Sequence, residues 1–140
     1  MPIFATDLPR LSALIKNYDA KGSPELFNDL VNVNEASAVT YALGQVLGKQ
    51  TSTGNYIISK QAATDGSQVA CAVYIGNYFG SVIPTNVAAS TNTNVLALVR
   101  GKVVVAASAL VLDASINTPT LVAATYAQLK AVGILAEVAN

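Results

Sequence analysis

The chain has 140 residues, eight of them basic and eight acidic, with 52% hydrophobic and only 11% charged residues. That length suits a single domain, and the scattered lysines and arginines exclude the clustered positive field that direct nucleic-acid binding requires. With no histidine and a single cysteine, the chain lacks the usual general base, an intramolecular disulfide and a thiolate or imidazole zinc site.

At the N-terminus, "MPIFATDLPR" has no basic segment followed by a long apolar stretch, so no secretory signal is expected. "LPRLSALIKNY" then places Leu8, Leu11, Leu14, Ile15 and Tyr18 at helical spacing, with Pro9 where a first helical turn accepts proline. "DAKGSP" ends that stripe, and a segment too short for a core of its own is expected to dock on its own domain or on a partner. "LVNVN" (30–34) alternates as a strand does. "GQVLGKQ" and "NYIISKQ" flank "TSTG" (51–54) as the two arms of a hairpin.

"ATDG" predicts a further tight turn, with Asp65-Gly66 supplying positive φ, before "VACAVYI", a strand suited to burial on both faces. "PTNVAASTNTN" (84–94) has the composition of a surface loop. Strand material follows in "VLALVRG", "KVVVAASAL" and "LVLDA", with a turn at Arg100-Gly101; the apolar run Val103–Leu112 is about half of the ~20 residues that a membrane-spanning helix needs. A helix is predicted from an N-cap at Thr118 and a first-turn Pro119 to a stop at Gly133. Its face of Val122, Tyr126, Leu129 and Val132 should pack on the sheet, and "ILAEVA" closes the chain as a strand.

The candidates for chemistry are few. Cys71 sits among Val69, Ala70, Ala72 and Val73, a setting for a small buried hydrophobe and not for a reactive thiolate. Asp65-Gly66-Ser67 offers a carboxylate and a hydroxyl, but the only bases on offer for Ser67 are Lys49, Lys60 or distant carboxylates, with no motif to support them. Asp7, Asp19, Glu25, Asp29 and Glu35 lack metal-loop spacing and are expected to be solvated. "LGQVLG" and "GNYFG" lack both a phosphate-loop lysine and a dinucleotide fingerprint. These readings give no catalytic residue, no metal ligand and no cofactor. A surface so poor in charge is expected to be covered partly by other subunits.

The order of "ALGQVLGKQTSTGNYIISKQAATDGSQVACAVYI", "ALVRGKVVVAASALV" and "LKAVGILAEV" resembles the phage head decoration proteins related to the lambda gpD protein. The likeness is carried by Gly44, Val46, Leu47, Gly48, Lys49, Asp65, Gly66, Ala72, Val99, Arg100, Gly101, Gly133 and Ile134. It implies a non-enzymatic cement: a homotrimer at three-fold positions on the outside of an expanded head, bound to the major capsid protein and stabilising the shell against packaged DNA. It also implies synthesis in the host cytoplasm and a place on the outer surface of the virion; no direct contact with nucleic acid or membrane is expected from the scattered charge and the short apolar runs.

The expected architecture is mainly β (α+β): a compact sandwich or barrel-like domain with one C-terminal helix and an N-terminal arm. Residues 1–35 are assigned to the arm and first strand, contacting the capsid, and residues 36–140 to the β domain. Ile3, Phe4, Leu8, Leu11, Leu14 and Ile15 are the candidate capsid-binding side chains. Two other readings are another viral or tail-associated structural module and a small enzyme using lysine or carboxylate chemistry.

Overall fold

The computed structural model describes residues 15–18, 28–77, 85–100 and 103–138. In chain order these form β1 (Ile15–Tyr18), β2 (Asn28–Val33), β3 (Val39–Tyr41), β4 (Val46–Lys49), β5 (Tyr56–Ile58), β6 (Ala70–Asn77), β7 (Thr85–Val87), β8 (Thr93–Leu98), β9 (Val103–Ala106), helix α1 (Pro119–Ala131) and β10 (Ile134–Glu137). Five strands close a barrel in the order β2-β5-β4-β6-β8. A three-stranded sheet, β1-β9-β10, and a two-stranded ribbon, β3-β7, complete the β structure.

Two hydrophobic cores share the barrel wall. Alternation along a strand sends successive side chains to opposite faces, so β6 points Ala72 and Tyr74 into the barrel and Val73 and Ile75 outward. In the same way β8 sends Val95 and Ala97 inward and Leu98 outward, and β4 sends Leu47 inward and Val46 outward. The barrel interior also takes Val31, Val33, Ile58, Tyr41 and Val87. The second core is completed by Val103 and Val105 of β9, Leu129 of α1 and Ile134 of β10. The prediction of a strand buried on both faces at "VACAVYI" is met from Ala72 to Ile75 for this reason, whereas Val69 lies exposed before the strand and Cys71 is half-buried.

Two glycines make the joins possible. Gly44, at φ +93°, brings β4 against the segment after β9: a Cβ there would lie 2.2 Å from the Ala109 carbonyl oxygen. Across that join the Val111 N–H donates to the Gly44 carbonyl at 2.9 Å, and the Val46 N–H donates to the Val111 carbonyl at 3.0 Å. Gly48 lies under the Ser67 backbone, where a Cβ would meet the carbonyl oxygen at 2.0 Å. Beside it the β4/β6 ladder slips, pairing Leu47 with Ala72 but Gly48 with Ala70, so that Cys71 is the extra residue of a bulge.

The hairpin at residues 51–54 is present, with Leu47 opposite Ile58 and Lys49 opposite Tyr56. The helix is capped as predicted: the Leu121 N–H donates to Thr118 Oγ1 at 3.2 Å, Pro119 opens the first turn, and Gly133 follows the end at φ +92°. Its sheet-facing side is narrower than predicted, since Thr125 and Leu129 are buried while Val122, Tyr126 and Val132 are only partly covered. Thr125 hides its hydroxyl by donating to the Leu121 carbonyl at 3.0 Å.

Four expectations are corrected. Ile15–Tyr18 are not the end of a helical stripe but a strand, antiparallel to β9 with Ile15 opposite Val105; cross-strand pairing overrides a helical spacing of this length. The Asp65-Gly66 turn does not join a hairpin, because β5 and β6 both pair with β4, on its two sides, so residues 59–69 cross over its end. Residues 84–94 are not one loop: Thr85–Val87 pair with Val39–Tyr41, and β8 begins at Thr93. The strand from Val103 stops at Ala106, where a 3₁₀ turn over Ala107–Ala109 turns the chain across β4. Leu8, Leu11, Leu14 and Gly101 lie outside the described residues.

Candidate functional site

The Asp65 segment that suggested a nucleophile is a closed hydrogen-bonded turn. Asp65 Oδ1 accepts from the Ser67 hydroxyl and from the Ser67 N–H at 3.0 Å, while Oδ2 accepts from Gln50 Nε2 at 2.9 Å. The Asp65 carbonyl takes the Thr51 N–H at 2.8 Å. These bonds, the Ser67 hydroxyl first, hold the carboxyl down at about 2. Ser67 is fully buried and its hydroxyl is committed to Asp65, so it presents no nucleophile. Gly66 has the predicted positive φ, +102°, and packs against Thr51.

Cys71 is half-buried, and burial pushes its thiol above the ordinary range against the opposing pull of the Lys49 ammonium. It therefore stays protonated and unreactive near neutrality. Lys49 itself is exposed, with Nζ 5.6 Å from the centre of the Tyr56 ring, a cation–π distance. Lys49, Lys60, Ser67 and Cys71 are not brought together into a catalytic arrangement. Among the described residues no group of three or more His, Cys, Asp or Glu side chains is placed to hold a metal ion, and no helix is long and apolar enough to cross a membrane.

Glu35 departs most from its sequence reading. It was expected to be solvated, yet it is 6% exposed. Its Oε2 accepts both the Tyr41 hydroxyl and, at 2.7 Å, the Ile58 N–H of β5. The β2/β5 seam has one ladder pair, Val33 with Tyr56, so this side chain stands in for a missing backbone acceptor. Burial first, then the Glu35 carboxylate, raise the Tyr41 phenol well above its usual range. The seam is fastened further by Asn32 Nδ2 donating to Asn55 Oδ1 at 2.8 Å.

Beside Glu35 a cleft of 680 Å³ opens between the end of β2 and the β4–β5 hairpin, its lining including Asn34, Gln50, Lys60, Asp65 and Asp113. Asp113 is held below the ordinary carboxylate range: burial opposes this, but hydrogen bonds from Ser115 and the Lys60 charge outweigh it. At the far end of β2, Asp29 pairs with Arg100, just past the end of the neighbouring β8, both side chains exposed. Asp29 is thus a surface charge, as expected, whereas Asp7, Asp19 and Glu25 lie outside the described residues.

Among the described residues, Asp65, Ser67 and Glu35 are spent on a turn and a barrel seam, and the fold they secure is that of a small β-protein. Residues 21–134 match the family of the bacteriophage lambda head decoration protein D, and the chain belongs to that family. It is a phage capsid decoration protein that stabilises the head, a structural and non-enzymatic protein, and such proteins sit on the capsid surface of the virion. Comparison with curated proteins and with solved structures gives no match.

Most of the described residues that carried the resemblance have scaffold roles. Gly44, Gly66 and Gly133 occupy positive φ, Val46, Leu47, Ala72 and Ile134 are buried, and Gly48 fills the space under Ser67. Of the candidate capsid-binding side chains, Ile3, Phe4, Leu8, Leu11 and Leu14 lie outside the described residues, and Ile15 enters the structure through its backbone pairing in β1.

Proposed function

We propose that the protein binds as a homotrimer at three-fold positions on the outside of the expanded head, gripping the major capsid protein through its N-terminal residues. The observation that carries this reading is the position of the family match. It begins at residue 21, after the apolar residues Ile3, Phe4, Leu8, Leu11 and Leu14 and after β1. In this reading residues 1–35 are the N-terminal arm and first strand, contacting the capsid, and residues 36–140 the decoration domain. Ile15 is the root of the arm, tied to the domain by β9. Binding only the expanded state stabilises that state by mass action, and three linked arms multiply a weak contact into avidity.

Deletion of residues 2–13, which spares β1, tests this. The truncated protein should remain a folded trimer by sedimentation and circular dichroism and lose its binding to expanded shells. Undiminished decoration of expanded shells, or a full-length protein that sediments as a monomer, would count against the reading.

A further inference from the structure

Glu35 is a buried carboxylate with half of its capacity unused. Its Oε2 takes both internal donors, and its backbone carbonyl accepts the Ser90 N–H at 2.7 Å, which fixes the residue from both sides. Its Oε1 has no hydrogen-bond partner among the described residues but keeps some accessible surface, and Glu35 lines the cleft. No lysine or arginine among the described residues is within ion-pair distance of it. Buried carboxylates are normally paired with a cation, because the cost of desolvating the charge is otherwise uncompensated. The cleft adds Asp65 and Asp113 against the single ammonium of Lys60, and Asn34 and Gln50 supply amide groups.

We propose that this cleft is a receptor for a basic side chain, a lysine or an arginine, projecting from the capsid shell, with Glu35 Oε1 as the acceptor at its floor. The inference rests on the decoration function and adds that the barrel end itself touches the shell, independently of the N-terminal residues. Charge complementarity chooses the occupant: three carboxylates and one ammonium line the recess, and Oε1 of the buried Glu35 has no donor among the described residues. Removing one partner of a buried, hydrogen-bonded charge pair weakens an interface severely.

The test uses the full chain and expanded shells. In Glu35→Gln the amide oxygen retains the Tyr41 and Ile58 donors and the amide nitrogen turns a donor toward the cleft, so the fold is kept while the acceptor is lost. Shell affinity should fall at least about tenfold, with a shallower salt dependence. Ser37→Lys, at an exposed position on the cleft wall, brings in a cation without touching the Glu35 bonds and should weaken binding in the same direction. It keeps the proposal testable should Glu35→Gln fail to fold. As a direct probe, N-acetyl-arginine amide and N-acetyl-lysine amide should produce saturable NMR shifts at Asn34 and Ile58, and N-acetyl-citrulline amide, neutral and of arginine's shape, should not. Full shell affinity in a folded Glu35→Gln or in Ser37→Lys, or an equal response to citrulline, overturns the proposal. A wild-type protein that ignores shells altogether would instead overturn the decoration reading, while the amide titration still reports on the cleft.

Discussion

At the scale of single residues, the glycines separate two costs that are easily confused. Gly48→Ala adds a methyl 2.0 Å from a backbone oxygen, which cannot swing aside as a side chain would. It should cost about 3 kcal/mol of stability in urea denaturation, at the upper end of overpacking effects. Gly54 has φ +74° but open space around it, its nearest neighbour being the Lys49 side chain at 3.8 Å. Gly54→Ala should therefore lose only about 1 kcal/mol, the penalty of the left-handed conformation. Asp65 gives a prediction in pH. Its folded value lies near 2, below the unfolded 3.8, so the stability it contributes is present above pH 3.8 and is lost as pH falls through about 2. The stability difference between wild type and Asp65→Asn, followed by denaturation at stepped pH, should be constant above the ordinary aspartate range and shrink across that window. Asp65 and Gly66 were legible because a turn announces itself by composition. Glu35 was not: its burial depends on Tyr41 and on the Ile58 N–H, which reach it through the closing of a barrel.

At the scale of elements, the helix was the most legible part of the chain, since its cap, first-turn proline and terminal glycine all act locally. Thr118→Ala removes the acceptor for the Leu121 N–H and should cost about 1 kcal/mol, measured as a shift in the urea midpoint at unchanged slope. Seven of the ten described strands were legible, but β1, β3 and β7 were not, "LVLDA" holds only an isolated bridge at Val111, and partnership was less legible still. β7 escaped notice because it is three residues long and its one well-buried apolar side chain, Val87, stands in a run of Asn, Ser and Thr. The helical spacing from Leu8 to Tyr18 misled at its C-terminal end because the partner of Ile15–Tyr18 is some 90 residues away in β9, beyond the reach of any local pattern. The crossover of residues 59–69 was hidden for a similar reason. Asp-Gly marks a reversal of the chain but does not say which strand comes next in the sheet.

At the scale of the whole molecule, β4, β6 and β8 each supply one face to the barrel interior and the other to the second core. Damage to either core should therefore be felt in both. Leu129→Ala, beneath the helix, and Val95→Ala, inside the barrel, should each lower stability, by about 2–5 kcal/mol for the leucine. In both variants, hydrogen exchange at the Ile58 amide of β5 and at the Val105 amide of β9 should accelerate together. Exchange that quickened in one core and not the other would show the two to be separable units.

The arrangement around β9 has a mechanical consequence. β9 is the middle strand of its sheet, held on one side by β1, from near the start of the chain, and on the other by β10, from near its end. Among the described residues, a pull passed along the chain from the proposed N-terminal arm meets Ile15–Tyr18 first. Directed along that strand, it loads the β1/β9 hydrogen bonds all at once; directed across it, it breaks them one after another. Under the proposed N-terminal grip, the force the cement withstands would be set by the direction of the pull as much as by the number of contacts, and a tether in line with β1 would be the strong one.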